Sequence, residues 1–313
     1  MTRPAIFIAT HDAADYVALL REQLDADSEI SIATSAADAT RLYAGQPVVL
    51  ARPDFAATLL EDSPPVQWLQ STWAGVTPLI NLAFKDYQLT GVKEVFGAQM
   101  SEYVLGHVLA HELRLSARNR AQADRVWDQF ASGRLAGKTM GVMGTGSIGA
   151  HLASTAQQLG VRVLGYNSSG RSVEPFEQVY HQESMATFLR QCDYVVGILP
   201  DLPDTTDLIN TEALQLMQES ALLINVGRGN LVDEAALCDA LGAGQIAAAV
   251  LDVFKQEPLP EHSPLWSAPN CTITAHVAAM SHPVDISRLF LDNYRRYVAG
   301  EALAHLVDFE RGY

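Results

Sequence analysis

Short runs of apolar residues, separated by longer stretches of mixed character, set the rhythm of this chain. Residues 5–9 hold the first, around Ile6-Phe7-Ile8. Ile30-Ser31-Ile32-Ala33, Pro47-Val48-Val49-Leu50 and Val66-Gln67-Trp68-Leu69 repeat it. Each is too short for a helix and rich in β-branched or aromatic residues, which predicts buried strands. A helical stretch over about 13–24 and further helix-like segments lie between them, and such alternation implies a parallel sheet. Ser71-Thr72-Trp73-Ala74-Gly75-Val76 reads as a loop just past a strand, where ligands of these sheets bind or where the chain simply turns. From Ser101 the period changes. Val104, Leu105, Val108 and Leu109 keep helical spacing to about Leu115, and Gly133 to Gly137 reads as a linker.

A second series begins at Thr139-Met140-Gly141-Val142-Met143, an apolar run that ends in Gly144-Thr145-Gly146-Ser147-Ile148-Gly149. Ile148, Leu152, Ala156 and Leu159 then recur on one helical face, Gly160 stops the helix, and Val161–Tyr166 reads as the next strand. This is the strand, turn, helix, strand context in which G-x-G-x-x-G signals a dinucleotide. Gly144 allows a tight turn, Gly146 a close approach of backbone to pyrophosphate, and Gly149 close packing. The free N–H groups of the helix start favour the phosphates. Gly137-Lys138-Thr139 imitates the end of a P-loop, but position 132 is Ser132 and the strand follows rather than precedes it. Further strands are expected at 194–198, 222–225, 247–251 and 272–274, with helices near 211–217, 233–242 and 285–299. The fold class is therefore α/β: a doubly wound Rossmann domain inserted into a smaller parallel-sheet domain. The expected boundaries are 1–98 with 285–313 for the outer domain and 99–284 for the inserted one.

Composition narrows the function. A net charge of −15 opposes binding to nucleic acid or anionic membranes. No apolar stretch is long enough to span a bilayer, and no signal-peptide pattern opens the chain. Cys192, Cys238 and Cys271 form a scattered, odd set, as expected of a reducing, cytoplasmic setting. His107 and His111 stand four apart on one helix, but no third ligand has suitable spacing, so no metal is expected.

Polar residues follow the later strands where a buried sheet needs none: Arg228 after Asn225-Val226-Gly227, Asp252 and Glu257 after Leu251, and His276 after Thr274-Ala275. A cation, a carboxylate and an imidazole on the cofactor side suit hydride transfer to a keto acid. With the glycine turn, the stretches Ile224–Gly229, Leu251–Phe254, Glu257–Pro260, Thr274–Ala279 and Leu199-Pro200…Thr205-Thr206…Ile209-Asn210 resemble the D-isomer-specific 2-hydroxyacid dehydrogenases. Within that family, Gly97–Tyr103, His276–Ala279 and the final Arg311-Gly312-Tyr313 look most like the bacterial glyoxylate/hydroxypyruvate reductase A group. Ala275 departs from the proline usual before the histidine, which bears on the stiffness of that loop.

The resemblance implies a flavodoxin-like substrate domain, a homodimer, and reduction of small 2-keto acids to D-2-hydroxy acids. It implies His276 as general acid, Glu257 as the residue orienting its ring, and Arg228 as the grip on the substrate carboxylate. Trp73 and the backbone of Ala74, Gly75 and Val76 complete substrate binding. Leu199, Pro200, Val226, Gly227, Asp252 and His276 join the glycine turn around the cofactor. The residue that would accept the adenine ribose hydroxyls in an NAD enzyme is Asn167 rather than an acid. Ser168, Ser169 and Arg171 follow, so NADPH is expected in preference to NADH. A nucleotide-sensing co-regulator on the same fold is the rival from another class. A formate-type dehydrogenase has little specific support.

Overall fold

Every strand in the computed structural model, which describes residues 3–61 and 64–310, is parallel to its neighbours. The Arg311-Gly312-Tyr313 motif lies outside the described residues. The chain divides into two compact units, Met1–Val95 with Ser281–Tyr313, and Phe96–Met280.

The first unit holds β1 (Ile6–Ala9), β2 (Ile30–Ala33), β3 (Val48–Ala51), β4 (Trp68–Ser71) and β5 (Gln88–Thr90), in the order β2-β1-β3-β4-β5. This is the flavodoxin-like order. β1, β3 and β4 are buried along their whole length, as strands covered on both faces must be. The helix Pro283–Ala299 belongs to this unit and packs on the helix Ala13–Arg21. It places Phe290 in a stack on Trp68, centroids 5.1 Å apart. Its Asn293 exchanges two hydrogen bonds with Ala304, at 2.8 and 3.0 Å.

The second unit holds β6 (Thr139–Met143), β7 (Arg162–Tyr166), β8 (Gln178–Tyr180), β9 (Tyr194–Gly197), β10 (Leu222–Asn225), β11 (Ala248–Leu251) and β12 (Cys271–Ile273). Their order is β12-β11-β10-β9-β6-β7-β8, the Rossmann arrangement with a seventh strand. The winding reverses between β6 and β9. Parallel strands share one C-terminal edge, so everything that follows a strand emerges on the same side of the sheet.

Several elements differ from the sequence expectation. β4 starts at Trp68, two residues into its apolar run, because Val48 of β3 pairs with Trp68, and Ser71 is strand rather than loop. The helix expected from Ser101 begins at Gly97 and ends at Glu112. Arg114, at φ 54°, then breaks the path before a separate helix, Leu115–Ala123. Leu109 and Leu159 keep the apolar spacing yet are exposed. The helix after the glycine turn, Ser147–Gln158, has already ended before Leu159.

Candidate active site

The glycine turn joins β6 to the helix Ser147–Gln158, with Gly146 as its N-cap. Gly144 has φ +122°, a conformation side chains resist, which turns the chain out of the sheet. A Cβ on Gly149 would lie 2.0 Å from the carbonyl oxygen of Gly144, so the helix closes on the turn only with glycine there. Around Gly146 the space is open. That cradle and the free helix start fit a pyrophosphate.

After β7, Asn167 folds the next loop around itself. Its Oδ1 accepts from the N–H groups of Ser169 and Gly170, at 3.1 and 2.7 Å. Its Nδ2 donates to Thr145 Oγ1 at 3.0 Å and to the carbonyl of Arg171 at 3.1 Å. The same amide therefore shapes the 167–171 loop and ties it to the glycine turn. Ser168, Ser169 and Arg171 are exposed there. The Arg171 guanidinium makes no hydrogen bond among the described residues.

The segments after β9, β10, β11 and β12 bring the remaining polar groups to the same edge. Leu199 and Pro200 follow β9, and a Cβ on Gly227 would come within 2.8 Å of the Leu199 carbonyl. Val226 is buried beside it. Arg228, Glu257 and His276 line one open pocket of about 440 Å³, with Asp201, Thr206, Asn230, Phe254 and Lys255. His276 Nδ1 lies 2.8 Å from Glu257 Oε2, and the other oxygen of Glu257 accepts the Phe254 N–H at 3.0 Å. An ionised carboxylate only accepts, so Nδ1 carries the proton and Nε2 is turned to other work. Arg228 Nη1 donates to the Gly227 carbonyl at 2.7 Å, leaving further donors of its fork for a ligand. Lys255, which the motif reading passed over, pairs with Asp207.

Asp252 does not line the pocket. It is 1 % exposed and its carboxylate accepts the N–H groups of Val277 and Ala278, both at 2.9 Å, and the Thr274 hydroxyl. Its carbonyl accepts the N–H of His276 at 2.8 Å. It is the anchor of the loop that carries the histidine. His276 itself stands at φ 55°, in the left-handed region.

Trp73–Val76 lies in the first unit, at the end of β4. Ser71 Oγ accepts from Trp73 N and donates to Trp73 O, which closes the turn. The N–H groups of Ala74, Gly75 and Val76 have no hydrogen-bond partner among the described residues, and free successive amides are donors of the kind an anion uses. Arg52, another residue the motifs did not flag, sits 4.3 Å over the Trp73 ring and pairs twice with Asp54. Among the described residues, no group of three His, Cys, Asp or Glu side chains is placed to hold a metal. No helix among them is long and apolar enough to cross a membrane.

A Rossmann sheet, its glycine turn and a His–Glu pair at one edge define an oxidoreductase of the dinucleotide-binding kind. The profile of the D-isomer specific 2-hydroxyacid dehydrogenase, NAD binding domain, matches residues 105–278. The chain belongs to that family. A glyoxylate/hydroxypyruvate reductase A from Escherichia fergusonii is 33% identical over 217 residues, 69% of this chain and 70% of the relative. A D-isomer specific 2-hydroxyacid dehydrogenase family protein from Aeromonas salmonicida is 38% identical, with a TM-score of 0.93 over 98% of this chain and 100% of that one. An NADPH-dependent glyoxylate/hydroxypyruvate reductase from Sinorhizobium meliloti, solved with NADP and sulfate, is 27% identical. It superposes with a TM-score of 0.86 over 100% of both chains. All three are dehydrogenases or reductases by description, the enzymatic of the two expected classes.

Proposed function

We propose that this chain uses NADPH to reduce small 2-keto acids, glyoxylate and hydroxypyruvate first among them, to D-2-hydroxy acids. The observation that carries the reading is the His276–Glu257 pair in one pocket with Arg228, at the edge of the sheet that bears the glycine turn. The relatives from Escherichia fergusonii and Sinorhizobium meliloti, named for those two substrates, support the substrate class.

A reduced nicotinamide, when bound at this edge, would supply the hydride. The protein's own residues do the rest. Arg228 binds the carboxylate and carbonyl oxygen of the keto acid through its planar donors. His276 donates a proton from Nε2 to the carbonyl oxygen as it becomes an alkoxide, while Glu257 fixes the ring through Nδ1. Gly144–Gly149 would hold the phosphates of the cofactor, with Leu199, Pro200, Val226 and Gly227 along the neighbouring strand ends. Ser168, Ser169 and Arg171 would receive the 2′-phosphate, and Asn167 holds their loop in shape without placing a negative charge beside it.

Oxidation of NADPH by a panel of 2-keto acids tests the reading. His276→Ala is expected to lower turnover by roughly 10²–10⁴-fold, the usual worth of a general acid. Turnover near the unmodified level in that variant would sink it. We further propose a cytoplasmic homodimer, on the free thiols and on the exposed apolar run around Trp127.

A further inference from the structure

Residues 274–280, the loop that carries His276, are held from beneath by Asp252 and from the side by the helix Gly97–Glu112. Gln99 grips the far end. Its Nε2 donates to the Met280 carbonyl at 3.1 Å and its Oε1 accepts the Met280 N–H at 3.0 Å. One turn further along the helix, the Tyr103 hydroxyl lies 2.6 Å from Thr274 Oγ1, at the near end. Residues four apart share a helix face, so one stripe reaches both ends of the loop. Thr274 gives its own hydroxyl proton to Asp252, so Tyr103 is the donor to Thr274. The three groups form a directed chain into a buried carboxylate, in which each bond polarises the next. Burial pushes the Tyr103 hydroxyl up to about 12, and it therefore keeps its proton at any working pH. Ala275 supplies no ring to stiffen the residue before the histidine, and the side-chain grip does that work from outside.

We propose that Gln99 and Tyr103 are positioning residues: they fix the 274–280 backbone so that His276 is presented, in its left-handed conformation, to Glu257. This rests on His276 as the proton donor.

The test uses the full-length enzyme with Tyr103→Phe, Gln99→Ala, Thr274→Val, Thr274→Ser and His276→Ala. Two quantities are read: steady-state kinetics with NADPH and glyoxylate, and amide hydrogen exchange at Val277 and Ala278 in the ligand-free protein. Tyr103→Phe is expected to lower kcat about tenfold, the equilibrium worth of one buried hydrogen bond, and to leave the KM for NADPH unchanged. Exchange at the two amides rises by a similar factor. Thr274→Ser recovers what Thr274→Val loses, because only the hydroxyl matters. Unchanged kcat and exchange in Tyr103→Phe would overturn the proposal. So would a joint decline of kcat, cofactor affinity and melting temperature, which marks a general packing role. If Tyr103→Phe fails to fold, Gln99→Ala, at an exposed pair, carries the same comparison. Unimpaired turnover in His276→Ala would instead remove the proton-donor reading, and the exchange rates would still decide whether the helix holds the loop.

Discussion

Glu257 hydrogen-bonds the His276 ring and the backbone N–H of Phe254. Replacing it by Gln keeps the shape and removes the charge. The expected result is a kcat lower by about ten- to a hundredfold, the worth of a hydrogen bond to a charged group. The KM for NADPH stays where it was, because Glu257 lies away from the glycine turn. A kcat equal to that of the unmodified enzyme would mean the carboxylate does not orient the ring. At the proposed 2′-phosphate site, Arg171→Ala is expected to raise the KM for NADPH about tenfold, the worth of one charge-assisted contact. The KM for NADH should not move. Asn167→Asp is a harsher probe, since it puts a negative charge near a phosphate and also loses the two hydrogen bonds that Nδ2 donates. Higher efficiency with NADH in the unmodified protein would contradict the reading of this loop. The motif residues were legible because glycine, arginine and histidine stand where a plain strand end needs none of them. Arg52 was not, and Gln99 and Tyr103 stood inside the Gly97–Tyr103 stretch with nothing to say what they hold. Their partners, Trp73, Met280 and Thr274, come together only in three dimensions.

Among the elements, the longer apolar strands were readable from composition, while β5 and β8 escaped. Gln88-Leu89-Thr90 and Gln178-Val179-Tyr180 are three residues each, with a polar residue first, and nothing in their pattern separates them from a loop. Sheet order supplies what their sequence lacks, since each pairs at an edge with a slightly longer and more buried neighbour. The glycine turn gives a sharper expectation. Gly149→Ala must push the helix Ser147–Gln158 off the Gly144 carbonyl, so NADPH binding measured by fluorescence titration should weaken at least tenfold or the variant should fail to fold. Unaltered affinity would mean the turn has more slack than its geometry shows. The helix Gly97–Glu112 carries His107 and His111, and burial lowers both below the usual 6.5, against the opposing pull of Asp252 on the first and Glu112 on the second. A depressed folded-state value means the unfolded chain takes up the proton first. Their contribution to stability is thus complete above 6.5 and is lost as the pH falls through the folded values. The melting temperature of His107→Gln should accordingly fall less steeply below pH 6.5 than that of the unmodified protein. Parallel profiles would assign the acid sensitivity elsewhere.

At the scale of the whole molecule, the irregular segment after the helix Leu115–Ala123 exposes Trp127 to 86% and Phe130 to 72%, close to the exposed Leu113 and Leu115. Exposed apolar groups gathered in one stretch are the mark of an interface, and a second copy is the occupant proposed above. Sedimentation should show a dimer, and Trp127→Ser with Phe130→Ser should shift it to monomer with its secondary structure intact. A monomeric unmodified protein would end that proposal.

The first unit is written in two pieces, and its last helix, Pro283–Ala299, brings Phe290 to Trp68 and Asn293 to Ala304. On the ribosome this order has a consequence in time. The nucleotide-type unit is complete once Met280 has cleared the exit tunnel, whereas β4 waits with one face of Trp68 bare until the final segment emerges. Nascent chains stalled with Met280 just clear of the tunnel should resist protease over 96–280 and be cut within 1–95. Full-length chains should resist in both.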